Sequence, residues 1–242
     1  MSGKGEGVSV AGLHGTRVSV VIAAYNSERF IADALDSVFA EVSEQDDVIV
    51  VDDGSMDGTA EVVRRYPTVR LVQQRNAGPA AARNTAIRLS TATFIAAIDH
   101  DDLWPAGRLD RMVAALEANP EAGYVAGRQR LMVTPGAPLP YWLKSTEPEE
   151  LERFQNERGT GMIMIRRSAF DRVGLFEESM TRGGEDIDWV FRCREAGYSE
   201  VEIDDEVLIR RLHGGNITAN EDDMKRATFA ILRKRAQRRR SQ

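Results

Sequence analysis

An apolar run of strand length, residues 94–98, ends abruptly in a cluster of carboxylates that includes Asp99, Asp101 and Asp102. In an open α/β sheet, ligands bind beyond the carboxyl ends of the strands. Side chains two residues apart in extended backbone point the same way, so Asp99 and Asp101 are expected at the mouth of one crevice. Paired oxygen ligands suit Mg²⁺ or Mn²⁺ beside substrate phosphates. The alternative is a solvated acidic turn, because Asp-x-Asp triplets are common.

A second acidic pair, Glu185 and Asp186, follows two glycines at the start of a predicted helix. The positive end of a helix dipole favours ionised carboxylates in the first turn. If the pair faces the crevice, one of its carboxylates is available as a general base. The alternative is a capping cluster at the helix N-terminus, with no chemical role.

Four more side chains have a type and position that suit a binding site. Arg211 and His213 end a predicted strand, directly before two glycines. At this position His213 could be a third metal ligand, although a lone His there is usually a surface residue. Arg211 could contact a diphosphate. Tyr25 follows the first predicted strand, where its ring could stack on a nucleobase or simply pack. Arg83 could pair with phosphate or with a neighbouring aspartate.

The composition describes one globular domain with an unevenly placed charge. The chain has 242 residues, of which 42% are hydrophobic, and it has a single cysteine, so no disulfide framework within the chain is possible and a reduced compartment is the default. Residues 1–15 are Gly-rich and are expected to be disordered rather than a signal peptide. Residues 225–242 contain eight basic and no acidic residues, so the net charge of −6 leaves −14 on the remainder. The body is therefore expected not to bind nucleic acid.

Four apolar runs alternate with four helical patterns over the first 118 residues. The predicted strands cover residues 17–24, 47–51, 69–72 and 94–98, and the predicted helices cover 30–40 and 56–66 and begin at Pro79 and Pro105. This alternation predicts a parallel, doubly wound α/β sheet.

The second half of the chain is less regular. The predictions there are a loop rich in Pro and aromatic residues at 134–142, a helix at 147–157, a strand at 161–165, a helix from Glu185 to about Gly197, and short strands at 200–203 and 207–212. Residues 16–220 are predicted to form one domain, divided into a nucleotide-type half (16–118) and an elaborated half (119–220). Residues 221–242 are predicted as a basic helix or tail. A disordered arm is the preferred interpretation, and contact with anionic lipid or an acidic partner is the alternative.

Six short motifs in this chain resemble those of the family 2 glycosyltransferases of the GT-A fold, and they occur in the family's order. They are Val-Ser-Val-Val-Ile-Ala-Ala-Tyr-Asn (18–26), Val-Val-Asp-Asp-Gly-Ser (50–55), Arg-Asn-Ala-Gly-Pro-Ala-Ala-Ala-Arg-Asn (75–84), Asp-His-Asp-Asp (99–102), Gly-Glu-Asp-Ile-Asp-Trp (184–189) and Arg-Leu-His-Gly-Gly-Asn (211–216). The resemblance covers about residues 17–220. It implies a Rossmann-like, mostly parallel sheet flanked by helices, with an acceptor-binding C-terminal half.

The resemblance also implies a role for each matching residue on the donor side. Ala23, Tyr25 and Asp53 would line the nucleobase and ribose pocket. Asn76 and Arg83 would approach the nucleotide and the sugar phosphate.

The remaining matches would surround the diphosphate. Asp99 would contact the ribose or the donor sugar. Asp101 would bind the divalent metal, Mn²⁺ or Mg²⁺, with His213 as a possible further ligand, and Arg211 would neutralise phosphate charge. Asp186 would be the general base, with Glu185 as the substitute.

These roles imply a metal-dependent, inverting glycosyltransferase that moves a sugar from a nucleotide-diphosphate sugar, with a UDP-sugar favoured. The acceptor stays open among a glycan, a lipid, a small molecule and a peptide. The alternatives are a catalytically silent sugar-nucleotide-binding protein and an NDP-sugar nucleotidyltransferase. The expected location is cytoplasmic, either free or peripheral to the inner face of the membrane through the basic tail.

Overall fold

The computed structural model describes residues 17–155, 159–180, 183–216 and 221–240. Residues 1–15, predicted to be disordered, lie outside this part of the chain. The strands are β1 Val18–Ala24, β2 Asp47–Asp52, β3 Val69–Gln73, β4 Phe94–Asp99, β5 Ala122–Val133, β6 Ile163–Arg166 and β7 Ser199–Leu212. The helices are α1 Ile31–Phe39, α2 Thr59–Val63, α3 Pro79–Leu89, α4 Arg108–Glu117, α5 Pro148–Arg153, α6 Arg167–Val173, α7 Glu185–Glu195 and α8 Glu221–Arg240, and a 3₁₀ turn spans Thr160–Met162.

The described strands form one seven-stranded sheet in the order β3-β2-β1-β4-β6-β5-β7. The first four in this order are parallel, β6 runs antiparallel to β4 and β5, and β7 is parallel to β5. The predicted α/β class and mostly parallel sheet are therefore confirmed. In the register of the sheet, Ala24 lies opposite Asp52, and Ala23 lies opposite Asp99. Polar residues that are far apart in sequence thus meet at one edge of the sheet.

Hydrocarbon packing on both faces of the sheet fixes this edge in place. All seven residues of β1 are buried. On one face, Ile22 packs in a cluster with residues of α1, α2 and α4, and on the other face Val21 packs with residues of α3, α6 and α7. Burying one such aliphatic side chain stabilises the fold by about 1.5–3 kcal/mol. The central strands are therefore a rigid base for the residues that follow them.

The C-terminal half departs from the sequence predictions at several elements. The strand β5 and the helix α6 were not predicted, and the two short strands expected at 200–203 and 207–212 form the single strand β7. The two glycines of β5 allow Tyr198 and Val207 to pack directly against the strand backbone. A Cβ on Gly123 would lie 2.9 Å from the Tyr198 Cβ, and one on Gly127 would lie 2.5 Å from the Val207 Cγ1. The exposed acidic residues 204–206 lie in the middle of β7, which is why the sequence suggested a break there.

Three smaller differences concern element bounds. The helix expected at 56–66 is limited to the five residues of α2. The helix expected at 147–157 is limited to α5, and residues 156 and 157 lie outside the described part of the chain. The strand expected at 161–165 begins at Ile163, because residues 160–162 form the 3₁₀ turn.

The C-terminal segment is also different from its preferred interpretation. Residues 221–240 form the 20-residue helix α8 rather than a disordered arm, and α8 contacts α7. The reason is a set of ion pairs to α7 and its surroundings that a local sequence pattern cannot show. Within the described residues, no helix combines the length and the apolar character needed to cross a bilayer.

Candidate functional site

A cavity of about 560 Å³, here called the strand-end cavity, lies beyond the carboxyl ends of β1, β2 and β4. Eight of the predicted site residues line it: Ala23, Tyr25, Asp53, Asn76, Arg83, Asp99, Asp101 and His213. The structure therefore brings most of the predicted donor-binding and metal-binding residues together around one space. The volume is in the range of small-molecule and cofactor sites.

Asp101 and His213 form the polar centre of the strand-end cavity, although they are 112 residues apart in sequence. The His213 Nε2 lies 2.8 Å from the Asp101 Oδ2, and the Asn216 Nδ2 donates to the same oxygen at 3.2 Å. The His213 ring packs against Phe30, with 4.5 Å between ring centroids. Burial raises the pKa of Asp101, but the hydrogen bond from His213 and the neighbouring imidazoles outweigh it, so this pKa lies below its usual range.

The Asp101–His213 pair fits the donor set of a divalent metal site. A carboxylate oxygen and a neutral imidazole nitrogen are both common metal ligands, and Mg²⁺ or Mn²⁺ keeps water and substrate phosphate oxygens as its other ligands. Among the described residues, no three His, Cys, Asp or Glu side chains are gathered as a complete metal cage. Two side chains of the chain thus have the chemistry to bind such a cation, and its other ligands would have to come from water or a bound molecule.

Arg211, predicted to neutralise phosphate charge, does not line the strand-end cavity. Its backbone N–H donates to the Asp102 Oδ1 at 2.8 Å, its Nε donates to the Asp101 carbonyl at 3.1 Å, and its Nη2 donates to the Asp33 carboxylate at 2.8 Å. Through these contacts Arg211 holds the acidic turn after β4, and its role toward phosphate stays a prediction. Arg210, which the sequence analysis did not single out, lines the cavity instead.

Asp53 shapes the wall of the strand-end cavity through the loop before α3. Its carboxylate accepts hydrogen bonds from the Gln74 side chain at 2.7 Å and from the backbone N–H groups of Ala77 and Gly78 at 2.9 and 2.8 Å. Gly54 has a φ of +80°, and a Cβ there would lie 2.9 Å from the Asn76 nitrogen. The Asp-Asp-Gly motif thus places Asn76 in the cavity wall.

A second, smaller cavity of about 200 Å³, here called the helix-end cavity, lies at the N-terminus of α7. Its lining includes both acidic residues predicted as general bases, the 3₁₀ turn, and residues of α8. It shares five lining residues with the strand-end cavity: Pro79, Arg83, Asp99, Asp102 and Arg210. The two cavities are therefore neighbours across a common wall.

Arg83 is the buried charge of this common wall. Its Nη2 donates to the Asp99 Oδ1 and its Nη1 donates to the Glu185 Oε1, both at 2.5 Å. Burial lowers the pKa of Arg83, but the Asp99 and Glu185 carboxylates raise it above its usual value. For the Glu185 carboxyl, burial acts in the opposite direction and raises its pKa to about 7, although the Arg83 charge opposes this. The sequence left phosphate and a neighbouring aspartate open as partners of Arg83. The structure shows the aspartate, Asp99, and a second carboxylate, Glu185.

Asp186 is the more accessible carboxylate of the acidic pair. Its Oδ2 accepts hydrogen bonds from the Thr160 backbone N–H at 3.0 Å and from the Thr160 Oγ1 at 3.2 Å. Asp186 is partly exposed in the cavity wall, whereas Glu185 is only 3% exposed and is committed to Arg83. The Asp186 Oδ1 also accepts from the Ile187 backbone N–H at 2.8 Å. A partly exposed carboxylate held by three fixed donors can accept a proton from a bound molecule.

Sequence reasoning missed Thr160, Arg210 and the lining residues of α8. Thr160 precedes an apolar strand in a Gly-Thr-Gly triplet, which suggests a turn but gives no sign of its contact 26 residues away. The α8 residues lie in a segment whose basic composition suggested a solvated arm and gave no sign that Ala227 and Ile231 are buried. These contacts are long-range, and a local pattern does not record them.

Comparison with known proteins gives an independent view of the chain. Residues 19–174 match the family described as Glycosyl transferase family 2. The chain is 25% identical over 215 residues to an uncharacterized glycosyltransferase EpsJ of Bacillus subtilis, covering 83% of this chain and 62% of that protein. It is 24% identical over 225 residues to the putative teichuronic acid biosynthesis glycosyltransferase TuaG of the same organism, covering 89% of this chain and 87% of that one.

Solved structures share the fold. The S. aureus protein TarS, residues 1–349, in complex with UDP-GlcNAc, is 20% identical with a TM-score of 0.69, covering 89% of this chain and 65% of that one. The mannosyltransferase PcManGT from Pyrobaculum calidifontis, in complex with GDP-Man and Mn²⁺, is 25% identical with a TM-score of 0.65, covering 81% of this chain and 57% of that one. The matched region is thus less than two thirds of the length of EpsJ and of both solved proteins.

Proposed function

The chain belongs to glycosyl transferase family 2, and from this premise we propose that it transfers a sugar from a nucleotide-diphosphate sugar, a UDP-sugar in the first instance, to an acceptor. The proposed reaction is metal-dependent, inverts the anomeric carbon and uses Asp186 as its general base. One observation carries the proposal: the Asp101–His213 pair and Asp186 line two cavities that share the wall formed by Arg83 and Asp99.

The strand-end cavity is the proposed donor site. A divalent cation held by Asp101 and His213 would neutralise charge on the diphosphate as the leaving group departs. The residues of the chain supply the rest: Tyr25 offers an exposed ring for the base, and Arg83 and Arg210 place positive charge in the common wall. The complexes of TarS with UDP-GlcNAc and of PcManGT with GDP-Man and Mn²⁺ support this use of the fold.

The helix-end cavity is the proposed acceptor site. An acceptor hydroxyl there would give its proton to Asp186 while its oxygen forms a bond to the anomeric carbon. The bond from that carbon to the diphosphate oxygen breaks on the opposite face, which inverts the configuration. Thr160 fixes the Asp186 carboxylate through two hydrogen bonds, and Glu185 orients Arg83 in the common wall.

UDP or GDP release from a panel of UDP-sugars and GDP-mannose in Mn²⁺, with water or an added acceptor, tests this proposal. Asp186→Asn keeps the shape of the side chain but removes the proton acceptor. It should therefore slow release by about 100-fold or more, in line with the loss of a general base. The matched control Asp171→Asn changes an exposed carboxylate on α6 and should leave the rate unchanged.

Two results would overturn this account. If Asp186→Asn releases nucleotide at the wild-type rate, Asp186 is not the base. If the wild-type protein binds a sugar nucleotide but releases no nucleotide with any donor and acceptor, the chain is a silent sugar-nucleotide-binding protein.

A further inference from the structure

The helix α8 has two sides with different surroundings. On its inner side, Ala227 and Ile231 are buried and line the helix-end cavity. They pack over Gly184, where a Cβ would lie 3.0 Å from the Ile231 Cδ1. Gly184 is the residue directly before the acidic pair, so α8 lies against the N-terminus of the helix that carries the proposed base.

Ion pairs hold this inner side against its neighbours. The Arg238 Nη1 lies 2.8 Å from the buried Asp188 Oδ1, and the Arg238 Nε lies 3.1 Å from the Glu195 Oε2. The Lys234 Nζ lies 2.7 Å from the Glu177 Oε2. With its inner side fixed in this way, α8 presents a defined outer side.

The outer side of α8 combines cations with exposed apolar side chains. Phe229 is 71% exposed and Leu232 is 55% exposed, and Lys225, Arg226 and Arg233 are exposed beside them. The spacing of three and four residues places these five side chains on one face. A helix face with aromatic and aliphatic side chains among Lys and Arg is typical of helices that lie in a membrane interface.

The basic residues of α8 favour an anionic partner for its outer side. The helix α8 has eight basic and three acidic residues, a net charge of +5, and the remainder of the chain carries −11. One of these cations, Lys225, is paired with Glu221 at 2.7 Å. The remainder is repelled by an anionic surface, so α8 would be the attractive element. A nucleic acid duplex would contact the cations through its phosphates and would leave Phe229 and Leu232 without an apolar partner, whereas a lipid surface would use both.

We propose that the outer side of α8 docks on an anionic lipid bilayer and thereby holds the helix-end cavity beside that surface. The inner side of the same helix is a wall of that cavity, so an acceptor carried on a lipid would reach Asp186 next to α8. The docking itself stands on the α8 surface alone. The statement about the acceptor rests on the proposed function.

Vesicle sedimentation of the full chain tests the docking without any sugar nucleotide. The protein should sediment with vesicles of phosphatidylcholine mixed with phosphatidylglycerol, more weakly at high salt, and not with phosphatidylcholine alone. Each Lys or Arg near an anionic surface contributes about fivefold, so Arg226→Glu with Arg233→Glu should cut the partition coefficient by about 25-fold or more. Phe229→Ser with Leu232→Ser should also reduce it.

A matched control lies at the other edge of the sheet. Arg64→Glu with Met56→Ser removes an exposed cation and an 86% exposed apolar side chain near α2, and it should leave binding unchanged. Docking through α8 is overturned if the wild-type protein does not bind, if it binds neutral vesicles equally, or if the control pair loses as much. If charge reversal removes binding and the Phe229/Leu232 variant does not, the face binds polyanions and the lipid assignment is wrong.

A fluorescent probe tests where the cavity lies. Ile187 is 37% exposed at the helix-end cavity, and Cys193 is fully buried, so an environment-sensitive dye can be attached selectively to Ile187→Cys. Its emission should shift to the blue on anionic vesicles, while the same dye on Met56→Cys should not respond. A response at Met56→Cys alone would overturn the orientation. These readings use no donor, so their failure is distinguishable from failure of the transferase reaction.

Discussion

The two cavities are built from different kinds of structure. The strand-end cavity is formed by the ends of β1, β2 and β4, whose side chains lie in hydrocarbon clusters on both faces of the sheet. The helix-end cavity is formed by a short turn, a Gly-Gly segment and α8, and α8 is held largely by ion pairs. One site thus rests on a rigid core, and the other on contacts at the surface of that core.

The difference indicates where the chain can vary. Burial of hydrocarbon is non-directional and is not screened by salt, whereas partly exposed ion pairs such as Lys234–Glu177 are screened and individually weak. The family match ends at residue 174, before α7 and α8. We therefore expect the strand-end cavity to be the common part and the α8 wall of the helix-end cavity to be the part that distinguishes this chain.

The largest expected effect is at the wall that both cavities share. Arg83→Ala leaves the buried Glu185 without its cation, and breaking a buried ion pair by removing one partner costs about 3–5 kcal/mol. The free energy of unfolding, measured by urea denaturation at neutral pH, should fall by about 3 kcal/mol. The control is Arg88→Ala on the same helix, where the pair with Glu178 is exposed and should cost less than about 1 kcal/mol. Equal losses in the two variants would mean that the ion pairs of Arg83 contribute no more to stability than the exposed pair of Arg88.

An intermediate effect is expected within the helix-end cavity. Thr160→Val keeps the backbone donor to Asp186 but removes the Oγ1 donor at 3.2 Å. A hydrogen bond to a charged group contributes about 1.5–3 kcal/mol, so nucleotide release should slow by about tenfold while UDP affinity stays the same. Thr160→Ser should restore the rate. If UDP affinity falls with the rate, Thr160 supports the fold generally and not the Asp186 carboxylate.

The smallest expected effect concerns the ion pairs of α8. The hydrogen bond from Lys234 and those from Ser179 lower the pKa of Glu177 to about 2. A depressed carboxyl pKa adds stability above the ordinary pKa and loses it as the pH falls toward the folded value. Lys234→Ala should therefore lower the melting temperature slightly at pH 7, and the difference should shrink as the pH falls from about 4.5 toward 2. A difference that grows in acid would contradict this role.

The sequence predicted the strand-end half well because its signals are local. The strands β1, β2 and β4 are buried and read as continuous apolar runs, and polar residues at their ends mark the edge of the sheet. The Asp-Asp-Gly and Asp-x-Asp motifs follow those runs directly. The pairing of Asp101 with His213 is not local: the position of His213 at a strand end and the resemblance to a family both suggested a metal ligand, but no local pattern paired it with Asp101.

The other half was harder to predict because its signals are tertiary. β5 contains two glycines that make room for Tyr198 and Val207, and in the sequence these glycines resemble turn residues. The basic composition of α8 suggested a solvated arm, but Arg238 meets Asp188 and Glu195 on α7. Thr160 reaches Asp186 through a turn that no periodic pattern records. In each case the deciding contact joins segments that are distant in sequence.

Calorimetric titration of UDP in the presence of Mn²⁺ tests the division of labour between the two cavities most directly. The account predicts that Asp101→Ala weakens UDP binding by about 100-fold, as loss of a metal ligand would, and that Asp186→Asn stays within about twofold of the wild-type affinity. Equal weakening by both substitutions, or wild-type affinity in Asp101→Ala, would contradict the separation of donor binding from proton transfer.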